Sequence, residues 1–536
     1  YINGEATSPM IYMREGSNVF KTQYAQGMED AGVQLICLPN SRSYEMNRSG
    51  AVWVSNNRYN FDPLDDLIYE TLEGAPDAKL MIHLDAEPPQ WWKNANPDEC
   101  VIDSNGGTAM ADGTTYGASY ASEKWRTDVG NYYKAFIEHV LGQPYASHVF
   151  AVKVTAGQTV EWQWWGMTTS TCGDYSPVAL NAFRAWLTEQ YGTDAALQAA
   201  WGDDSVTLAT AQIPTWGERV NQDYTYILNG IGQRNVIDYH LFYSQMTTDS
   251  ILYFADIVKQ ACGGRWIVGT YNGYVTNSLT FESNNIMNAH IAQILASDDV
   301  DFLCAPIAYD TRMPGMSAGY MALVDSILNA GKMFFMECDS RTVYFEIEAM
   351  EPYLLQEWGQ TYTLKDTIEL MKRDFAAVLA KGAGLWWYDM YGGWFDDAEI
   401  YDMVSVMKAE MDYSVAHPVQ NESEIAWVID DDLLTTTAYN FGGTYSVLYG
   451  ANYLQKEQLA HIGAPYDSLY LSDLENGSAR SYKVYLISAV NIDAAEKAAI
   501  DALKKDGVTI LWYGIPGVYA EAGTVSADRI SEITGI

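Results

Sequence analysis

Carboxylates follow four short apolar runs of this 536-residue chain. Asp85 and Glu87 come after Lys79–Leu84, and Glu161 comes after Val149–Ala156. Glu337 and Asp339 come after Lys332–Met336, and Asp389 after Gly384–Tyr388. A charge at the end of a buried run must be compensated, so such residues are either paired structurally or poised for chemistry. The chemistry that two carboxyl groups suit best is cleavage of a glycosidic bond. One group, held protonated, releases the leaving oxygen, while the other, ionised, attacks the sugar carbon or activates water.

Two of these residues carry that requirement further than the rest. Glu161 sits in Val154-Thr155-Ala156-Gly157-Gln158-Thr159-Val160-Glu161-Trp162, a glycine turn leading from an apolar run into Trp162, Trp164 and Trp165. Apolar surroundings raise a carboxyl pKa, which a general acid at neutral pH needs. Glu337 ends the run Lys332-Met333-Phe334-Phe335-Met336, with Arg341 close behind it. Arg341, Arg14 and Tyr309 are the expected groups to hold it ionised as a nucleophile. The competing reading for each glutamate is a structural salt bridge or helix cap. Around them, Asp85, Gln158, Asp339 and Asp389 are expected to bind substrate, and Trp91, Trp92, Trp162, Trp387 and Trp394 to wall a sugar subsite. Trp386 and Trp387 are consecutive on a strand, so at most one of them faces inward.

The elements that must position these residues follow a βα rhythm. Strands are expected at Met10–Met13, Val33–Leu38, Lys79–Leu84, Val149–Ala156, Arg265–Tyr271, Asp301–Pro306, Lys332–Met336 and Gly384–Tyr388. Helical periodicity lies between them, at Phe20–Ala31, Pro63–Glu73, Ser122–Leu141, Pro177–Tyr191, Val236–Cys262, Ala289–Leu295, Ala318–Ala330 and Leu364–Lys381. Eight such units close into a (β/α)8 TIM barrel, whose active site lies at the C-terminal ends of the strands. Glu161 then follows the fourth strand and Glu337 the seventh, on opposite sides of the barrel mouth. The barrel is expected over residues 1–413, with a linker at 414–423 around Ala416-His417-Pro418.

A smaller flavodoxin-like open α/β domain is expected over 424–536. Its strands are placed at Glu424–Ile429, Tyr466–Leu471, Val484–Ser488 and Val508–Tyr513, and its helices at Tyr445–His461 and Ala494–Lys505. Gly514–Ile536 shows no closing element in the pattern, so the native chain is read as extending further.

Composition excludes several function classes. With 69 acidic against 31 basic residues, a net charge of −38, the field repels nucleic acid and anionic membrane surfaces. No apolar run of about 18 residues is present to span a bilayer. The chain opens on Tyr1 with no signal peptide in view, so extracellular, periplasmic and cytoplasmic locations all stay open. No P-loop and no GxGxxG after a strand appears, and the seven histidines show no HxxxH spacing, so no cofactor and no metal are expected. The six cysteines lack CxxC spacing; Cys37, Cys304 and Cys338 read as buried strand thiols, and Cys100 and Cys172 as loop residues able to pair on export. The 39 Tyr and 17 Trp supply flat amphipathic faces of the kind that stack on sugar rings.

Several stretches resemble glycoside hydrolase family 42, the β-galactosidases and their relatives. They are Tyr175-Ser176-Pro177 through Phe183-Arg184-Ala185-Trp186-Leu187, Tyr191-Gly192, Ala200-Trp201-Gly202, Gly331-Lys332 running into Glu337, and Ala380–Tyr388 with its Lys-Gly-Ala-Gly core. Residues from about Ser423 resemble that family's trimerisation domain. The resemblance implies a retaining, exo-acting β-glycosidase, often trimeric, with acid/base Glu161 and nucleophile Glu337. Two departures mark this chain within it: Val160 stands where the family carries an Asn that contacts the sugar's 2-hydroxyl, and the family's cysteine zinc cluster is absent. The turn Gly157-Gln158-Thr159-Val160-Glu161 is also similar to one in β-amylases, which invert. The alternatives are therefore a β-glycosidase of another specificity, such as β-mannosidase-like, an inverting glycosidase, or a carbohydrate-binding barrel without turnover.

Overall fold

A computed structural model describes residues 1–2, 4–14, 22–41, 52–111, 113–168, 170–220, 227–277, 290–345, 358–438, 449–519 and 524–536. Eight strands form its centre: β1 (Met10–Arg14), β2 (Leu35–Asn40), β3 (Lys79–Asp85), β4 (Val149–Thr155), β5 (Ile267–Tyr271), β6 (Phe302–Pro306), β7 (Met333–Cys338) and β8 (Gly384–Asp389). Each pairs in parallel with its sequence neighbours, and β1 closes the ring against β8, so the sheet has no free edge. Nearly every strand residue is buried, as expected of a parallel sheet covered by helices. The expected fold class is the observed one.

Closing the ring requires close approach inside it. Gly269 on β5 faces the Phe302 ring so tightly that a Cβ there would lie 2.2 Å from it. The helices pack on the outside through apolar stripes. In Glu123–Leu141, Ser122 caps the first turn by accepting from the Trp125 N–H, and Trp125, Val129, Tyr133, Phe136 and Val140 are buried.

Some helices differ from the sequence reading. Ala318–Ala330 shortens to Val324–Asn329, because Ala318 takes φ 57° and Tyr320 bridges to Ile307 as extended chain. The long helix starts earlier than Val236, at Gly230, with a break at Ile231–Gly232. The first residues of the predicted helices Phe20–Ala31, Ala289–Leu295 and Tyr445–His461 lie outside the described residues; the rest of the last one is a π turn, Tyr449–Tyr453, and a helix, Gln455–Ala460. Cys100 and Cys172 are both free thiols, bonded separately to the Asn96 carbonyl and to Tyr175. No helix among the described residues is long and apolar enough to cross a membrane.

The second sheet contains β9 (Ile425–Ile429), β10 (Tyr466–Tyr470), β11 (Val484–Ser488) and β12 (Thr509–Trp512). All its pairings are parallel, in the spatial order β10-β9-β11-β12, which is the flavodoxin-like winding. The C-terminal segment is not open: Ala527–Thr534 is a helix whose Ile533 is buried and whose Ile533 carbonyl accepts from Lys504 Nζ. The sheet joins the barrel through polar locks as well as apolar contact. Asp325, on the helix Val324–Asn329, accepts from the Ser468 N–H at 2.8 Å and from Lys381 Nζ at 2.7 Å.

Acidic residues crowd the C-terminal end of β9. Asp430 is spent on the loop after β11, accepting from the Val490 and Asn491 N–H groups. Burial, then Asp493, pushes Asp432 up to about 6, and burial together with Asp493 and Asp432 pushes Glu496 up to about 7. Both folded-state values lie above the unfolded ones near 4, so the folded state holds these protons more tightly. The stability they contribute is complete below about pH 4 and is lost as pH rises through 6 to 7. Asp432→Asn with Glu496→Gln is therefore expected to raise Tm at pH 8 by about 2–4 °C and to change it little at pH 4, read by calorimetry.

Candidate active site

Strand alternation turns Phe335 and Glu337 of β7 toward the barrel axis, where Phe335 stacks on Trp386 of β8. Glu337 is only 6% exposed. The Tyr271 hydroxyl, at the end of β5, donates to Glu337 Oε2, and Trp386 Nε1 donates to the same oxygen at 2.9 Å. Beneath both donors sits Lys153 of β4, fully buried. Its ammonium donates to the Tyr271 hydroxyl at 3.0 Å and lies 4.4 Å and 4.7 Å from the centres of the Tyr271 and Trp386 rings. Burial raises the Glu337 pKa, and Asp339 raises it further; Lys153 and the two donors oppose both.

Asp339 is itself neutralised. Arg312 Nη1 and Arg341 Nη1 reach its Oδ2 at 2.8 Å and 3.0 Å. The expected holders of Glu337, namely Arg341, Arg14 and Tyr309, are thus corrected to Tyr271, Trp386 and Lys153. Arg341 pairs with Asp339 and lies over Trp358, and Tyr309 lies under the Arg312 guanidinium at 3.7 Å. Arg14 lies on the other face of β1 from the axis, beside Gly392.

Glu161 is half-buried in a turn of unusual backbone. Gly157, Thr159, Val160 and Trp162 all have φ between 59° and 81°. For a β-branched valine this is a strained conformation, and it persists only where surrounding contacts enforce it. Those contacts are present. Trp162 is buried with Nε1 donating to Thr270 Oγ1 at 2.7 Å, Trp164 Nε1 donates to Thr247, and the Gln158 N–H bonds the Gln163 carbonyl. A side chain at Gly157 would meet the Tyr120 hydroxyl at 2.3 Å. Pinned from both sides, the turn presents Glu161 to Tyr274, whose hydroxyl donates to Glu161 Oε1 at 2.7 Å. Tyr274 opens the 3-10 turn Tyr274–Asn277, three residues past Tyr271. One strand end thereby holds both glutamates.

The other expected residues make local contacts. Asp85 caps the loop after β3 by accepting from the Glu87 N–H. Asp389 accepts from Tyr12 and from the Gly393 and Trp394 N–H groups, which folds the loop after β8. Burial raises the Asp389 pKa, with those bonds opposing. Alternation sends Trp386 inward and Trp387 outward against Phe395, so the inward tryptophan is Trp386 and not the expected Trp387. Trp92 is buried and bonded to Asp128, Trp394 is buried against Phe345, and Trp91 is partly open, edge-on to Trp53.

The comparisons with known proteins bear on family and fold. The model of glycoside hydrolase family 42, described as beta-galactosidase, matches residues 54–337, more than half of the chain. The chain belongs to that family. No curated protein matches it. Among solved structures, the β-galactosidase from Bacillus circulans sp. alkalophilus superposes with TM-score 0.68 at 14% identity, over 97% of this chain and 73% of that one. The β-galactosidase from psychrophilic Marinomonas ef1 gives 0.65 at 16%, over 96% and 78%. The catalytic domain of a β-amylase from Paenibacillus polymyxa gives 0.55 at 13%, over 78% and 100%. At these identities the structural likeness concerns the fold.

For this family 42 glycosidase, sequence reasoning missed Lys153, Tyr271 and Tyr274. Lys153 was legible as the one basic residue inside the apolar run of the fourth strand, and the tyrosines as an i, i+3 pair that begins at the last residue of the fifth. Among the described residues no group of three or more His, Cys, Asp or Glu is arranged to hold a metal ion.

Lys153 favours ionised Glu337, so its removal makes the carboxylate harder to form and moves the acidic limb of activity to higher pH. For Lys153→Met, kcat/KM at pH 5 is expected to fall roughly tenfold further than at pH 8 relative to the parent. A parallel fall at both pH values would show a packing role only.

Proposed function

We propose that this glycosidase is a retaining, exo-acting β-glycosidase of β-galactosidase type, with Glu337 as nucleophile and Glu161 as acid/base. The observation that carries the reading is the pair Tyr271 and Tyr274, one turn apart, each hydrogen bonded to one of the two glutamates. Glu337 attacks the anomeric carbon as Glu161 protonates the departing oxygen, giving a covalent glycosyl-enzyme. Glu161 then takes a proton from water, which attacks the same carbon and releases Glu337. Tyr271, Trp386 and Lys153 balance the charge that Glu337 carries before attack and after release. Tyr274 and the indole anchors Trp162 and Trp164 hold the acid in line.

The depth of Glu337 suits a terminal sugar better than a through-running chain. The β-galactosidase neighbours favour a terminal β-galactoside as substrate. In this reading residues 1–413 are the catalytic barrel, 414–423 the linker and 424–536 a domain of trimerisation type.

The test is a panel of aryl β-glycosides, including galactosides and mannosides, with the first product followed by NMR. The β-anomer is expected first, and Glu337→Ala and Glu161→Ala are each expected to lower kcat/KM on a poor leaving group by about 10³-fold or more. The α-anomer first would make the enzyme inverting. No turnover of any sugar by folded protein would leave a carbohydrate-binding barrel.

A further inference from the structure

The second sheet's domain reaches into the barrel mouth through one cation. Lys456, on the helix Gln455–Ala460, has a side chain only 2% exposed. Its ammonium lies 3.0 Å from Asp310 Oδ1, donates to the Thr276 carbonyl at 3.4 Å, and sits 3.8 Å from the centre of the Tyr453 ring. A buried ammonium is costly unless it is paired and hydrogen bonded, so these contacts hold their partners as firmly as they hold the lysine.

The partners belong to two different barrel loops. Thr276 lies in the turn Tyr274–Asn277 after β5, whose Tyr274 bonds Glu161. Asp310 lies in the turn Tyr309–Thr311 after β6, directly before Arg312, which pairs with Asp339. The next residue of the same helix, Glu457, accepts from Ser317 farther along the second loop. Burial lowers the Lys456 pKa and raises that of Asp310, while each charge opposes the shift of the other.

We propose that Lys456 is a positioning residue of the active site, by which the second domain clamps the loop carrying Tyr274 to the loop carrying Asp310 and so aims the acid/base Glu161. The second domain is then part of the catalytic unit as well as a candidate for assembly. The inference rests on Glu161 being the acid/base. Thr276 is also tied within the barrel, through its N–H to the Met321 carbonyl, so loss of the clamp loosens the turn without freeing it.

A loosened acid shows itself in leaving-group dependence. The full chain is assayed on two aryl glycosides of the sugar it cleaves, one with a dinitrophenyl group that departs with little protonation and one with a phenyl group that needs it. Lys456→Met is expected to lower kcat/KM on the phenyl substrate by about tenfold and on the dinitrophenyl substrate by less than about twofold. Lys456→Arg is expected to recover most of the loss. Should Lys456→Met fail to fold, Asp310→Asn, which keeps the shape of the pair, is read in the same way. Equal losses on both substrates, or no loss, from folded protein would overturn the proposal. Glu161→Ala is run beside them: if it too affects both substrates equally, the acid/base assignment fails, independently of the clamp.

Discussion

A carboxylate enclosed by apolar strands must be satisfied from inside the enclosure, and much of this molecule's mouth is arranged around that need at Glu337. Tyr271 and Trp386 both donate to a single oxygen of the group, and Lys153 places its charge under both rings. The three helpers come from three different strands, β5, β8 and β4, so the arrangement exists only when the ring is closed and in register. Asp339, two residues on, would add a second uncompensated charge. Arg312 and Arg341 remove that load, and Arg341 in turn packs against Trp358 and Trp394. Fold and electrostatics are coupled here, because removing one partner leaves a buried charge without its balance.

The acid/base turn solves a different problem. Glu161 follows β4 but is partly open, so its direction must come from the backbone. The chain accepts left-handed conformations at Thr159, Val160 and Trp162 and anchors them with two buried indoles. Strain of order 1–3 kcal/mol per residue is tolerable when such contacts oppose it. Tyr274 completes the fixation from β5, the strand end that also supplies Tyr271.

Much of the fold was legible because a parallel barrel writes itself in apolar runs. Pro177–Tyr191, Leu364–Lys381 and Ala494–Lys505 match the sequence reading residue for residue, and each expected barrel strand is found within a few residues. What failed were local competitions: Ala318–Tyr320 borders a helical pattern in sequence but is drawn into a bridge with Ile307, and Ala527–Thr534 is too short to stand out without its packing partner. Within the site, the two glutamates were legible from strand ends. Their partners were harder to read: Lys153 stands out as a basic residue in an apolar run and Tyr271 and Tyr274 as a spaced pair, but nothing in the sequence ties them to the glutamates until the ring brings β4, β5 and β7 together. The arginines were misassigned for the same reason: Arg341 is near Glu337 in sequence, yet Asp339 is the closer carboxylate to it in space.

In a retaining mechanism Glu337 is the group that bonds to sugar. Incubation with a 2-deoxy-2-fluoro glycoside bearing a good leaving group slows release of a glycosyl-enzyme, and mass spectrometry of its peptides locates the adduct. Time-dependent inactivation is expected, with one fluoroglycosyl group attached at Glu337, and none after Glu337→Ala. An adduct on Glu161, Asp339 or Asp389, or steady hydrolysis with no adduct at all, would contradict it.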